Sequence, residues 1–499
     1  MTPLTLPSAR TLETLTVGPG YAGLGERFVE ERLPTPVADP RLALVNPDAA
    51  ALLDLDVAEF QRPEFLAIVA GGARFRATPP TAAVYAGHQF GTFVAQLGDG
   101  RAISLGEIRK PSGEVWDWQL KGAGITAFSR FGDGRAVLRS TIREYLACEA
   151  MHHLGVPTTR ALAMVSSPET VRREAIETTA VLSRLSPSFV RFGTFEYFHY
   201  AQRFDELRAL ADYVVAGFYP ALAPIADDRE RYASLLAEIV TRTAELVAQW
   251  QAIGFAHGVL NTDNMSILGN TLDYGPYGFL GAYEPGHICN HTDEQGRYAF
   301  DRQPTIGRWN CHALAAAFAT LIDEPAAQAA LAVYEPAYRR RFLALQRAKF
   351  GLADARDDDP QLMAGALMLL ERNRVDYTIF FRRLSSLARH TTPADDRLAE
   401  LFADRAGWHA WSTRFRERTA VESGTDAERL AAMRAANPKY VLRNYLAQAA
   451  IAAAQAGDFS ETERLERVLR APFDEQPAME HYAAPPPSAA GEIVVSCSS

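Results

Sequence analysis

The sequence predicts an α+β fold: a small N-terminal half built on an antiparallel sheet with one main helix, then a larger, mostly helical half with a C-terminal helical extension. Three observations lead there. A chain of 499 residues is longer than one hydrophobic core usually supports, so two lobes with appendages are expected. Short runs of strand character gather before residue 190, with one helical run among them. Beyond that point apolar residues recur at helical spacing. The expected divisions are 1–190, 191–390 and 391–499.

Phe93-Val-Ala-Gln-Leu97 and Ala102-Ile-Ser-Leu105 flank Gly98-Asp-Gly-Arg101, which reads as a hairpin. Gly98 and Gly100 would let backbone N–H groups approach phosphate oxygens, and Arg101 adds a charge. A Gly-Asp-Gly turn that is no G-x-G-x-x-G motif is by itself an ordinary turn. The next strand, Val115 to Lys121, closes on one of only four lysines, at 110, 121, 349 and 439, in a chain whose default cation is Arg. A lysine there offers a compact point charge where Arg would present a wide fork. Glycines follow in Gly122-Ala-Gly124 and Gly132-Asp-Gly-Arg135. Val137 to Leu154 then carries Leu138, Ile142, Tyr145, Leu146, Met151 and Leu154 at helical spacing, and Gly155-Val-Pro157 stops it. Glu144 lies on this helix, where a kinase carries a Glu that pairs with its strand lysine. Ala161 to Val165 and Thr178 to Leu185 complete the sheet, with Arg184 and Arg191 flanking its exit.

The helical half opens with Arg229 to Gln251, whose Leu235, Ile239, Leu246 and Trp250 form one stripe, ending at Gly254. It leads into His257-Gly-Val-Leu-Asn-Thr-Asp-Asn264, followed by Leu272-Asp-Tyr-Gly275. A protein-kinase catalytic loop runs His-Arg-Asp, four residues, then Asn; the Asp takes the substrate proton and the Asn holds magnesium. Here the His-to-Asn spacing is kept, but Val259 stands where that Asp belongs, and an Asp occurs instead at Asp263. Met265 to Leu268, the turn Gly269-Asn270 and Thr271 to Asp273 read as a short hairpin. Its fold-back would set Asp273 beside Asn264, so that both oxygens reach one hard cation. The order hairpin, strand with Lys, helix with Glu, helix, catalytic loop is that of a bilobal protein-kinase-like fold. Gln361 to Leu387 and Pro438 to Gly457 read as extra helices on the large lobe, and Ala484 to Gly491 as an extended linker to the tail.

Bulk properties exclude several function classes. Hydrophobic and charged fractions of 48% and 22% are those of a globular protein. A net charge of -9 argues against nucleic acid as a partner, since phosphate backbones call for a basic face. The start, MTPLTLPSARTLETL, lacks the basic segment and apolar core of a secretory signal, and stretches such as Ala313 to Ile322 are too short to span a bilayer. A cytoplasmic, membrane-free monomer is expected. Cys148, Cys289, Cys311 and Cys497 include no C-x-x-C pair and make no disulfide framework; Cys148 falls in a helical pattern and is expected in the core.

The stretches YAGHQFG (85–91), QLGDGRA (96–102), WQLKGAG (118–124), RFGDGRA (130–136), STIREYL (140–146), HGVLNTDNMSI (257–267), LDYGPYGFL (272–280) and NPKYVLRN (437–444) together resemble the selenoprotein O family, an atypical kinase-fold family, over nearly the whole length. The resemblance implies a protein adenylyltransferase that moves AMP from ATP to Ser, Thr or Tyr hydroxyls of target proteins, with ATP inverted relative to kinases. The bacterial branch is also linked to UMP transfer from UTP and to manganese. Carried over residue by residue, it puts nucleotide binding on Gly98, Gly100, Arg101, Lys121, Asp133, Gly134, Arg184, Arg191 and Asp273. Asp263 becomes the proton acceptor, Asn264 and Asp273 the ligands of Mg2+ or Mn2+, and Glu144 the partner of Lys121. It further implies a redox disulfide between Cys289 and Cys497. Some relatives carry selenocysteine near the C-terminus, where this chain has Cys497.

The chemistry is compatible. Positioning and charge neutralisation do most of the work in such transfers, and a general base contributes about 10²–10⁴-fold. A pyrophosphate leaving group would suit Lys121, Arg184 and Arg191. Two alternatives stay open at this level: a kinase that transfers the γ-phosphate with Asp263 as a displaced base, and an inactive nucleotide-binding scaffold. Val259 counts against the first, and retention of both Asn264 and Asp273 against the second.

Overall fold

The computed structural model describes residues 9–392, 394–487, 493 and 495. Its sheet elements, in chain order, are β1 (Thr16–Gly18), β2 (Val29–Glu31), β3 (Arg41–Val45), β4 (Thr81–Ala83), β5 (Gly87–Gln89), β6 (Thr92–Val94), β7 (Ala102–Arg109), β8 (Val115–Lys121), β9 (Ala136–Val137), β10 (Arg160–Arg172) and β11 (Ile176–Ser186). Nine of them form one antiparallel sheet in the order β2-β4-β7-β8-β11-β10-β3, with β1 on β7 and β9 on β11. The strand expected at Val115 to Lys121 is β8, and the two expected after the helix are β10 and β11, each longer than its apolar stretch.

The two-residue period of a strand sorts core from site. In β8, Trp118 and Leu120 enter a core with Val181 and Leu185 of β11, closed by Phe65 and Val69. The latter two lie on α2 (Pro63–Val69), which follows the short α1 (Pro47–Ala51). The intervening Gln119, Lys121 and Arg184 fall on the opposite face. There α3 (Leu138–His153) packs Ile142, Tyr145, Leu146, Cys148 and Met151 beside Ala180 and Leu182. The helix thus forms within a turn of its expected bounds, with Cys148 in the core as expected.

The expected hairpin around Gly98-Asp-Gly does not form. β6 pairs instead with β5 as a separate two-stranded ribbon, and β7 pairs with β8. Leu97 N and Asp99 N donate to Tyr85 O and Ala83 O, so this segment crosses from the ribbon to the sheet. Gly98 has φ +78°, and a Cβ there would lie 2.3 Å from the Phe128 ring. That glycine answers a packing constraint which a local turn signal cannot distinguish from a hairpin.

The helical half comprises α4 (Phe192–Tyr200), α5 (Phe204–Phe218), α6 (Asp228–Ile253), α7 (Gln303–Ala317), α8 (Glu324–Leu331), α9 (Tyr334–Phe350), α10 (Asp359–Asn373), α11 (Tyr377–Leu384), α12 (Ala394–Ala399), α13 (Arg405–Ala420), α14 (Asp426–Ala436), α15 (Asn444–Gln455) and α16 (Ser460–Leu469). Asp227 caps α6 through Glu230 N, and Gly254 ends it at φ +72°. From there β12 (Phe255–Ala256), which pairs with β13 (Gly278–Phe279), leads into His257. The single helical run expected at Gln361 to Leu387 is two helices, because Arg374 turns left-handed at φ +49° and closes α10. The Pro438 to Gly457 run is helical only from Asn444. Its helix α15, with α16, packs on α3 of the sheet half, so the expected placement on the helical half alone does not hold. Tyr145 Oη donates to Glu466 Oε1 at 3.1 Å across that contact. Among the described residues no helix is long and apolar enough to cross a membrane.

Lys349 sits in the core of this half, 4% exposed, with Nζ 4.1 Å from the Phe381 ring centroid and its charge opposed by burial alone. Burial pushes its ammonium pKa down to about 7. The unfolded chain therefore holds a proton that the folded chain releases, from about pH 7 up to the ordinary lysine value of about 10.4. Stability should rise with pH through that window. Lys349→Met is expected to raise the melting temperature at pH 7 and to flatten its rise towards pH 9.5, measured by thermal unfolding at both values.

Candidate active site

The face of the sheet that carries Lys121 and Arg184 meets the His257 loop across a cavity of about 650 Å³. Asp273 is its electrostatic centre. Oδ1 accepts from Lys121 Nζ at 3.0 Å and from Arg184 Nη1 at 2.7 Å, while Oδ2 accepts from Arg191 Nη1. Glu144 completes the set, accepting from Lys121 at 2.6 Å and Arg184 at 2.8 Å. The expected Lys121–Glu144 pair is therefore present. Burial alone would raise the Asp273 carboxyl, but Arg191, Lys121 and Arg184 outweigh it and hold the group well below the usual carboxylate range. Three cations thus converge on one carboxylate inside the cavity, a cluster of donors that suits a polyphosphate.

Gln119 and Asp99 extend this network, and local sequence signals pointed to neither side chain. Arg184 Nε donates to Gln119 Oε1 at 2.8 Å, and Gln119 Nε2 to Asp99 Oδ2 at 3.2 Å. Asp99, the middle residue of Gly-Asp-Gly, also lies 3.9 Å from Arg191 Nη2. Such links fix the guanidinium planes before any ligand arrives.

The 257–264 loop is held from several sides. His257 donates from Nε2 to Leu272 O at 3.0 Å, tying the loop to the residue before Asp273, and burial keeps the ring's pKa down. No hairpin forms between Met265–Leu268 and Thr271–Asp273. Ser266 bridges to Arg191 and Thr271 to Thr158, so both segments pair with other parts of the chain. Asp273 and Asn264 nonetheless line the same cavity, Asp273 at φ +56°. Asn264 Nδ2 donates to Val259 O at 3.0 Å, so Val259 supports the loop through its backbone. Asp263, 7% exposed, accepts from Gln89 Nε2 at Oδ2, 3.2 Å away, and its carbonyl accepts from Arg191 Nη1 at 2.7 Å. Burial pushes its carboxyl up to about 6, with Gln89 and Arg191 opposing the rise.

Other expected residues occupy less direct positions. Arg101 is exposed at the cavity rim and makes no side-chain bond among the described residues. Asp133 is claimed bidentately by Arg173 at 2.7 Å to each oxygen, a partner the sequence did not indicate, and this bond draws its pKa down. Gly134, at φ +69°, is required by a backbone approach: a Cβ would meet Gly124 C and O at 2.1 Å. Gly100 is likewise packed, its Cβ position 2.8 Å from Phe128 O. These glycines shape the cavity wall through packing. Cys148, Cys289 and Cys311 are buried and not joined to one another; Cys497 lies outside the described residues, and with it the expected pairing to Cys289.

The donor set at the cavity floor is oxygen only: the Asn264 amide and the Asp273 carboxylate. Among the described residues no group of three or more His, Cys, Asp or Glu side chains gathers as a metal cage. A hard cation of the magnesium type needs no such cage, since it is held by one or two protein oxygens with substrate phosphates and water. The residues present fit that mode.

Comparison with known proteins places the chain in a family. Residues 11–470 match the family model described as protein adenylyltransferase SelO. A protein nucleotidyltransferase YdiU of Thiobacillus denitrificans is 54% identical over 490 residues, covering 98% of this chain and 100% of its own. Its counterpart in Myxococcus xanthus is 54% identical with the same coverage. One in Pseudomonas fluorescens is 48% identical over 492 residues, 98% of this chain and 100% of that protein. Near-full coverage on both sides leaves no segment of the site outside the match, and the chain belongs to the SelO family of protein adenylyltransferases.

Proposed function

We propose that this chain transfers AMP from ATP to Ser, Thr or Tyr hydroxyls of target proteins in a metal-dependent reaction, its sheet half and helical half acting as the two lobes of a kinase-like enzyme. The observation that carries the reading is the convergence of Lys121, Arg184 and Arg191 on Asp273 in one cavity with Asp263, while Val259 stands where a kinase has its base.

In this reading Lys121, Arg184 and Arg191 orient the polyphosphate and neutralise charge on the departing pyrophosphate. Arg101 adds a rim cation, and Gly98, Gly100 and Gly134 let the segments of the wall pack closely around the nucleotide. Asp133 aligns Arg173. Glu144 keeps Lys121 and Arg184 extended into the cavity. Asp263 takes the acceptor proton as the hydroxyl oxygen bonds to the α-phosphorus, and the bond from that phosphorus to the β-phosphate oxygen breaks. Asn264 and Asp273 would hold Mg2+ or Mn2+, which supplies charge neutralisation on the phosphates. UMP transfer from UTP would use the same groups. A Cys289–Cys497 disulfide is part of the proposal, supported by Val495 O, which accepts from His291 N at 3.0 Å, two residues from each cysteine.

The test uses ATP labelled at the α- or the γ-phosphate. Protein label from the α position alone is expected; label from γ alone would make the chain a kinase. No label with ATP still bound would make it a scaffold. Asp263→Asn is expected to slow α-label transfer by about 10²-fold or more.

A further inference from the structure

We infer that Gln89, on the β5–β6 ribbon, is a positioning residue that orients the Asp263 carboxylate for transfer; this rests on Asp263 being the proton acceptor. Its amide is the one side-chain donor to that carboxylate among the described residues: Nε2 reaches Oδ2 at 3.2 Å, while Oδ1 is buried without a hydrogen-bond partner. Gly87 limits the carboxylate from the same side, since a Cβ there would lie 2.8 Å from Oδ1.

Three consecutive ribbon residues grip three consecutive loop residues. His88 N donates to Thr262 Oγ1 at 2.7 Å, Gln89 bonds Asp263, and Phe90 N donates to Asn261 Oδ1 at 3.1 Å. The ribbon turn is Phe90-Gly91, with φ +50° and +84°, a geometry that favours glycine or asparagine at both positions. A phenylalanine there is strained, and it is held by Tyr298, whose Oη lies 2.9 Å from Phe90 N and 2.6 Å from Asn261 Oδ1. Glu196 of α4 fixes the other end by binding both His88 and Thr262. The register between Gln89 and Asp263 is thereby determined on both sides, as a carboxylate that must meet an incoming hydroxyl requires.

Gln89→Leu in the full chain removes the donor and keeps the volume. With ATP labelled at the α-phosphate, kcat for label transfer is expected to fall about 10- to 100-fold while KM for ATP stays within about twofold. In the Asp263→Asn background the same change should cost nothing further, because the group it orients is gone. An unchanged kcat, or losses that multiply in the double variant, would overturn the inference. Gln89→Glu serves as the second variant should Gln89→Leu lower the melting temperature. It keeps the length, and a carboxylate facing Asp263 should reduce kcat at least as far. Asp263→Asn at the wild-type rate would remove the Asp263 reading itself; Asp263→Asn slow with Gln89→Leu at full rate would sink only the role of Gln89.

Discussion

Asp273→Asn is expected to abolish nucleotidyl transfer and metal-dependent ATP binding, and to lower the melting temperature by several degrees. The carboxylate is the shared partner of Lys121, Arg184 and Arg191. The side chains of these cations are 11%, 1% and 3% exposed, so none can regain full hydration when the negative charge is removed. Breaking one partner out of a buried ionic cluster typically costs about 3–5 kcal/mol, because the remaining charges are left uncompensated. Glu144 would stay bound to Lys121 and Arg184, but Arg191 would retain only Asp99 at 3.9 Å as a carboxylate contact. The amide keeps the shape of the side chain, so the loss reads charge and not volume. Differential scanning fluorimetry with and without MgATP, beside label transfer, checks both halves. Full activity in this variant would refute the metal assignment.

Gly193→Ala should be strongly damaging although its backbone conformation admits any residue. Gly193 is the second residue of α4, and a Cβ there would stand 2.0 Å from Ala86 O and 3.4 Å from Asp263 Cα. Its φ is not in the left-handed region, so helix geometry does not demand a glycine; the close approach of two backbones does. Ala86 N donates to Gly193 O at 3.0 Å, and the added methyl must push these strands of chain apart. The ribbon would leave α4 and carry Gly87 and Gln89 away from Asp263. A loss of about 1–3 kcal/mol or more in stability is expected, with transfer falling further than stability alone explains. Gly217→Ala on α5 is the control, since nothing lies within 4 Å of its Cβ position. It should leave transfer unchanged and keep or raise the melting temperature.

The parts of the site legible beforehand were those with a local period or a kept spacing. Lys121 closes a strand whose alternate residues are apolar, and Glu144 sits on a helix whose phase is set by Ile142, Tyr145 and Leu146. Sheet and helix pairing then brings Nζ and Oε2 within 2.6 Å. Both hairpins misread in the sequence failed for one reason: the segments flanking Gly98 and Gly269 pair with other parts of the chain instead of with each other. A helical pattern read through Glu371-Arg-Asn-Arg374 likewise hid the left-handed break at Arg374.

Sequence alone revealed the sheet-then-helix order through periodicity, and its family motifs pointed to the Lys121–Glu144 pair and to the carboxylate at Asp263 in place of the one absent at Val259. Tertiary structure alone decided that Asp273 would serve three cations at once, that Arg173 would claim Asp133, and that Gln89 would reach Asp263 across 174 positions. Contacts of that span leave no periodic trace in the chain, because their partners are set by how the ribbon, sheet and loop pack rather than by any neighbour in sequence.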